Sequence, residues 1–175
     1  MPTFPRPQPG DYAPYFDRYL ALVPGTDDLI ALLSDQGEAL TAHLADVSED
    51  RAGFRYADGK WSTRQVVGHI TDTERVFLHR AFCIARGDAQ PLPPMDENAY
   101  MDGATFDERA LADLVDEFAD VRRGSVRFLS TLTDEAAARA GTVNGYRATA
   151  TAWAYLLYGH AAHHAAILRD RYGIG

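Results

Sequence analysis

The sequence predicts an all-α protein, a four-helix bundle preceded by an extended, proline-rich N-terminal arm. Three observations support this fold class. Four stretches of about twenty residues carry apolar side chains at helical spacing. The period-two alternation of half-buried strands is absent, apart from a small turn with Asn-Gly at its tip in residues 141–149. The length of 175 residues suits a single domain with its own core.

Residues 1–25 are predicted to form an arm that packs on a bundle formed by residues 26–175. Six of the nine prolines lie in this first segment, and that density excludes one long helix. Four aromatic residues of the arm recur at spacings of three and four, namely Tyr12, Tyr15, Phe16 and Tyr19. This spacing predicts a short helical turn whose rings cover the core.

Local start signals place the first two helices. The first is predicted to begin at Thr26, with Asp27 and Asp28 in its first turn, where carboxylates interact favourably with the helix dipole. The second opens at Ser62 with a capping box that Gln65 completes. It is predicted to end at Gly87.

The third helix is predicted to begin at another capping box, Thr105 to Glu108, and to continue to about Leu132. The fourth covers about Thr149 to Asp170, after a short helix in the connection. Between the second and third helices, residues 88–103 contain three prolines and are predicted to form an overhanging surface loop.

The fourth helix carries three of the six histidines in an alanine- and leucine-rich run, YLLYGHAAHHAAILRD, residues 155–170. With about 100 degrees per residue, His160 and His164 lie at about 0 and +40 degrees, inside the apolar face. His163 lies near about −60 degrees, at the margin of that face. Because the pair is spaced by one turn, both rings can reach a single metal ion. The competing interpretation is that both histidines are core residues whose ring nitrogens have hydrogen-bond partners.

A third metal ligand has to come from another helix, since one helix cannot offer three side chains at equal reach. The candidates are His43, His69 and His79. We prefer His69 because it lies in the most apolar part of the second helix, and His79 points about 80 degrees away from it. His43 remains an alternative.

Three further residues are interpreted as structural. Cys83 lies about 21 Å along the helix from His69, too far to bind the same ion, and we interpret it as a small buried hydrophobe. Trp61 and Trp153 adjoin strongly apolar helical faces and are interpreted as core anchors.

Charge and composition disfavour several classes of function. The formal net charge of −8 and the pI of about 5.1 disfavour binding to nucleic acid or to an anionic membrane surface. No apolar run has the length of a membrane span, and the N-terminus lacks the pattern of a signal peptide. A single cysteine cannot form an internal disulfide. We therefore expect a cytoplasmic protein.

Two segments resemble the DinB/YfiT-like superfamily of four-helix-bundle proteins. They are KWSTRQVVGHITDTERVFLHRAFCIARGDAQPLPPMDENAY, residues 60–100, and YGHAAHHAAIL, residues 158–168. The similarity rests on a tryptophan before a Ser-capped helix, a histidine eight residues later and a distant histidine pair at four-residue spacing. It extends over essentially the whole chain.

The resemblance implies a divalent metal, often zinc or nickel, bound by one histidine of the second helix and two of the fourth. These positions correspond to His69, His160 and His164. Characterised members of the family include S-transferases that use bacillithiol or mycothiol and a mycothiol-dependent maleylpyruvate isomerase. Many are homodimers that act on small molecules, and we expect the same of this chain.

Three neutral imidazoles leave the charge of a divalent ion uncompensated and leave a coordination position open, as in catalytic sites. Such an ion turns a bound thiol or water into a nucleophile near neutral pH. The leading hypothesis is a thiol-dependent S-transferase, with Glu74 or Glu97 as general acid or base, Asp96 as a further candidate and Tyr100 near the substrate. The alternatives are a metal-dependent hydrolase and a non-catalytic metal-binding or stress-response bundle.

Overall fold

A computed structural model describes residues 2–175. Within them the chain forms eight α-helices and one hairpin. In chain order these elements are α1 (Asp17–Leu20), α2 (Leu29–Ala45), α3 (Glu49–Ala52), α4 (Thr63–Ala85), α5 (Glu97–Asp102), α6 (Leu111–Leu129), α7 (Asp134–Ala138), β1 (Ala140–Val143), β2 (Tyr146–Thr149) and α8 (Ala150–Ile167). Two 3₁₀ turns, Pro14–Phe16 and Phe106–Glu108, and a π-helical turn, Leu168–Tyr172, complete the helical structure.

The four long helices α2, α4, α6 and α8 form the bundle, which confirms the predicted fold class. α4 packs against α6 and α8, and α2 packs against the same two helices. Two of the three pairs of consecutive long helices therefore lie on diagonals of the bundle, namely α2 with α4 and α6 with α8. In a simple up-and-down bundle they would be neighbours. Of the helices within residues 2–175, none combines the length and apolarity required to cross a membrane.

The predicted capping box of α4 is confirmed, and α8 begins at the predicted position with Thr149 as its N-cap. The hydroxyl of Ser62 accepts a hydrogen bond from the Gln65 N–H at 3.1 Å, and the Gln65 side chain accepts one from the Ser62 N–H at 2.9 Å. The Thr149 hydroxyl accepts from the Ala152 N–H at 3.1 Å. These caps satisfy N–H groups that have no partner within the first helical turn.

The predicted start of the first helix was wrong by one turn. Asp28 is the N-cap of α2, and its carboxylate accepts a hydrogen bond from the Ala31 N–H at 3.0 Å. The Thr26 hydroxyl instead accepts from the Asp28 N–H at 3.0 Å, within the turn that precedes the helix. An aspartate is at least as good a cap as a threonine, so the later residue starts the helix.

The predicted capping box of the third helix was also wrong. Residues Phe106–Glu108 form only a 3₁₀ turn, and the Thr105 side chain makes no capping hydrogen bond. α6 begins at Leu111, whose N–H donates to the Glu49 carboxylate of α3 at 2.8 Å. It ends at Leu129 rather than near Leu132. A carboxylate from another helix therefore caps α6, and local spacing cannot reveal such a cap.

The proline-containing connection after α4, residues 88–103, is attached to the hairpin. The Leu92 N–H donates to the Thr142 carbonyl at 2.9 Å, and the Asn144 N–H donates to the Leu92 carbonyl at 3.0 Å. Asn144 and Gly145 have φ values of 48° and 78°, as a tight hairpin turn requires. This connection also holds α5, which was predicted as loop.

The core consists of two apolar clusters. Each long helix contributes to both, and each carries a polar residue where it passes from one cluster to the other. These residues are Gln36 of α2, Glu74 of α4, Arg122 of α6 and His160 of α8. We call them the central polar layer.

The arm packs along α8. Phe4 and Phe16 of the arm and Tyr19 of α1 are buried in the first cluster. The Tyr155 hydroxyl of α8 donates a hydrogen bond to the Phe4 carbonyl at 2.9 Å. The Arg6 guanidinium donates to the Leu20 carbonyl at 2.7 Å and so fixes the arm onto the turn that follows it.

Gly159 marks the closest approach of arm and bundle, and it provides a test of this packing. A Cβ at this position would lie 2.3 Å from the Tyr19 carbonyl oxygen. We expect Gly159→Ala to lower the free energy of unfolding by about 1 to 3 kcal/mol, because the arm has to move away. Denaturant titration measures the loss.

Gly124, inside α6, is the matched control because a Cβ there meets no atom within 4 Å. Gly124→Ala should raise the free energy of unfolding by about 0.5 to 1 kcal/mol. Similar effects of the two substitutions would contradict the described packing.

Candidate metal centre

The structure brings together the three histidines that the sequence singles out. The candidate ligand nitrogens of His69, His160 and His164 all lie within 4.8 Å of one another. Nε2 of His69 lies 3.1 Å from Nε2 of His160. His69 comes from α4 and the other two come from successive turns of α8, against which α4 packs. All three side chains are buried.

The geometry and chemistry of this triad fit a divalent metal ion. With Zn–N distances of about 2.0 to 2.1 Å, two ligand nitrogens of a tetrahedral ion lie about 3.3 Å apart. The His69–His160 separation of 3.1 Å is close to that distance. Among the described residues, buried Nδ1 of His164 has no hydrogen-bond partner. Imidazole nitrogen is a good ligand for zinc, nickel, copper and iron.

Burial keeps the triad neutral. It lowers the pKa of His69 to about 4. It also lowers the pKa values of His160 and His164 well below the ordinary histidine value, and repulsion from neighbouring imidazoles adds to the effect. Neutral imidazole is the form that binds metal ions, so the ligands are ready to bind at neutral pH.

Aromatic side chains surround the triad. The ring of Trp61 lies 4.8 Å from that of His69, between centroids. Tyr19 and Phe77 make edge contacts with His160 at 5.5 and 5.6 Å. Such a shell fixes the orientation of the ligand rings and limits the access of water.

A cavity of about 270 Å³ lies beside His160, which forms part of its wall. The arm and α1 contribute Tyr15, Phe16, Arg18 and Tyr19, α4 contributes Arg80, and α5 contributes Glu97. A small molecule in this cavity would therefore lie next to one histidine of the triad.

The structure separates the two predicted acid–base residues. Glu97 lines the cavity. Glu74 instead belongs to the central polar layer, where its carboxylate accepts hydrogen bonds from Nε and Nη2 of Arg122 at 2.8 and 2.7 Å. Of the two further candidates, Asp96 caps α5 by accepting from the Asn98 and Ala99 N–H groups, and Tyr100 is half exposed outside the cavity.

The remaining histidines and the cysteine lie outside the triad. His43, the alternative third ligand, is exposed on α2. His163 is half buried at the margin of the apolar face, and its ring lies 5.2 Å from that of Tyr19. His79 is exposed, and its Nε2 lies 3.6 Å from Sγ of Cys83. Cys83 is buried as predicted, and burial raises the pKa of its thiol.

Sequence reasoning missed Arg80. A signal was present, since Arg80 lies three residues after Phe77 and four before Ile84 and so shares their buried helical face. A charged residue on such a face requires a partner or a function.

Comparison with known proteins identifies the family. The DinB superfamily pattern matches residues 32–168, a region that includes all three histidines. The structure of YfiT from Bacillus subtilis, described as a probable metal-dependent hydrolase with an unusual four-helix bundle topology, superposes with a TM-score of 0.69. The two chains share 22% identity over 84% of this chain and 87% of YfiT, and this similarity establishes the fold. No curated protein matches the chain. The protein belongs to the DinB superfamily.

Proposed function

We propose that this protein is a metal-dependent enzyme that acts on a small molecule bound beside His160. One observation carries the proposal: three buried, neutral imidazoles converge within 4.8 Å, and one of them forms part of the wall of a cavity of about 270 Å³. Structural metal sites are usually closed by four protein ligands, whereas catalytic sites keep a position open for water or substrate.

His69, His160 and His164 would hold the ion, and zinc or nickel are the metals that we propose. A divalent ion bound by three neutral imidazoles lowers the pKa of a water or thiol ligand, so that a nucleophile forms near neutral pH. The aromatic residues Tyr19 and Phe77 lie edge-on to His160 and form part of the cavity wall beside it. The Glu97 carboxylate lies in the same cavity and can hold or release a proton beside the substrate.

Two reactions fit this arrangement. Transfer of a group to a low-molecular-weight thiol is the first, because the chain resembles a family that contains such S-transferases. Hydrolysis is the second, and it is favoured by the similarity of the fold to YfiT. Both need the same activated nucleophile, and they differ in whether a thiol or water supplies it.

Metal analysis tests the site. We expect untagged wild-type protein to contain about one ion per chain by mass spectrometry, and we expect His69→Ala, His160→Ala and His164→Ala each to lose it, since each removes one of three ligands. His163→Ala is the matched control, because it removes a neighbouring imidazole of the same helix from outside the triad. Wild-type protein that neither carries nor binds a divalent ion would overturn the proposal.

Activity assays on the metal-loaded protein separate the reactions. Consumption of chlorodinitrobenzene that depends on added bacillithiol or mycothiol supports the S-transferase. Cleavage of a nitrophenyl ester without any thiol supports the hydrolase. If the ion is bound and neither substrate reacts in a way that the histidine variants abolish, the non-catalytic metal-binding bundle becomes the preferred alternative.

A further inference from the structure

Arg80 is a buried cation without an acidic partner. The residue is 5% exposed, and within residues 2–175 its guanidinium forms no ion pair with an aspartate or glutamate. Nη2 donates one hydrogen bond, to the Pro93 carbonyl at 2.9 Å. The guanidinium lies 4.7 Å from the Trp153 ring centroid and lines the cavity beside His160.

Arg122 shows how the same bundle accommodates a buried arginine whose role is structural. It is buried to a similar degree, at 2% exposure, and its guanidinium binds the Glu74 carboxylate through two nitrogens. A buried charge without a counterion is costly to the fold, by several kcal/mol. Among the partners that residues 2–175 offer, Arg80 uses only the Pro93 carbonyl, so most of its N–H donors are available at the cavity.

The charges around the cavity favour an anion. The charged residues of its wall are Arg18, Arg80 and Glu97, which sum to one positive charge in a protein whose formal net charge is −8. Arg18 is exposed and lies over the Tyr19 ring at 4.7 Å. A divalent ion on the nearby histidines would make the site still more positive.

We infer that the cavity takes a small organic carboxylate and that Arg80 binds its carboxylate group. Guanidinium presents paired N–H donors that match the two oxygens of a carboxylate, and the guanidinium of Arg80 is positioned over the Trp153 ring. The carboxylate of Glu97 disfavours a second negative charge, so a monoanion fits better than a phosphate dianion. That the bound carboxylate is a substrate rests on the proposed function, whereas its binding rests on Arg80.

Calorimetric titration of metal-loaded protein with sodium benzoate tests the inference. Benzoate is the probe because it combines one carboxylate with an apolar ring that suits the aromatic wall. We expect benzoate to bind, and we expect benzamide, its neutral analogue, to bind at least about tenfold more weakly. Inorganic phosphate that binds as tightly as benzoate or more tightly would overturn the assignment of a carboxylate.

Variants locate the binding group. Arg80→Gln should weaken benzoate binding by about 10- to 100-fold, because a charge-assisted contact is lost. Arg80→Lys keeps the charge without the paired donors and should show a smaller loss, which also tests the role of Arg80 if the glutamine variant does not fold. Arg86→Gln is the matched control, since Arg86 follows α4, lies over Phe82 and Phe128 and is exposed outside the cavity.

The same titrations on metal-free protein separate this inference from the proposed function. Benzoate binding that depends on Arg80 with or without metal supports the inference, even if the metal analysis fails. Binding that needs metal and is unchanged in Arg80→Gln and Arg80→Lys overturns the inference and leaves the metal site intact.

Discussion

Glu74→Gln is expected to lower the free energy of unfolding by about 3 to 5 kcal/mol, because it leaves Arg122 as an unpaired buried charge. The Arg122 and Glu74 side chains are only 3% and 2% exposed. The pair also positions Gln36 of the central polar layer, since Nη1 of Arg122 donates to the Gln36 side chain at 2.9 Å. Urea denaturation monitored by circular dichroism measures the loss.

Two further substitutions define the origin of this effect. Replacing both partners by methionine should recover much of the stability, because no charge then remains in the core. Asp120→Asn is the control, since it breaks the pair of Asp120 and Arg123, whose side chains are 70% and 73% exposed, and should cost less than about 1 kcal/mol. If Glu74→Gln and Asp120→Asn lower the free energy of unfolding by the same amount, the buried pair has no special role in stability.

The stability of the metal-free protein is expected to fall steeply as the pH decreases from about 6.5 to about 4. Burial lowers the pKa of His69 to about 4 in the folded state, whereas the ordinary value of 6.5 applies after unfolding. Between these values the unfolded chain binds more protons, so the free energy of unfolding rises with pH. His69 alone accounts for about 3 kcal/mol across this window, and His160 and His164 shift in the same direction.

Denaturation midpoints at several pH values, in the presence of a chelator, measure this dependence. Replacing His69 by leucine should flatten the slope between about pH 4 and pH 6.5, because the group that takes up the proton on unfolding is gone. Gly124→Ala, which changes no titratable group, should leave the slope unchanged. A slope that is the same in the leucine variant and the wild type would show that His69 does not titrate as its burial requires.

Features set by near neighbours in the chain were predicted from the sequence. The capping box of Ser62 and Gln65 lies within one turn, and the pair of His160 and His164 follows from the helical period. The start of α6 was wrong because its cap is Glu49, a residue of another helix.

The candidate metal centre likewise combines features set by near neighbours in the chain with features set by contacts between helices. The ring spacing on α8 and the apolar surroundings of His69 suggested the triad, and the structure places these three side chains together. The pairing of Glu74 with Arg122 depends on how α4 packs against α6, and the cavity at Arg80 depends on how the arm crosses α8. These are tertiary contacts, and neither periodicity nor capping patterns encode them.

The position of the arm has a consequence for how the cavity beside His160 can vary. Tyr15, Phe16, Arg18 and Tyr19 line the cavity and precede residues 32–168, the region that matches the superfamily and holds all three histidines. One part of the cavity wall therefore comes from a segment outside the region that provides the metal ligands. Changes confined to the arm can reshape this part of the wall without replacing any of the three histidines, whereas Arg80 and Glu97 of the same wall lie in the region that holds the ligands.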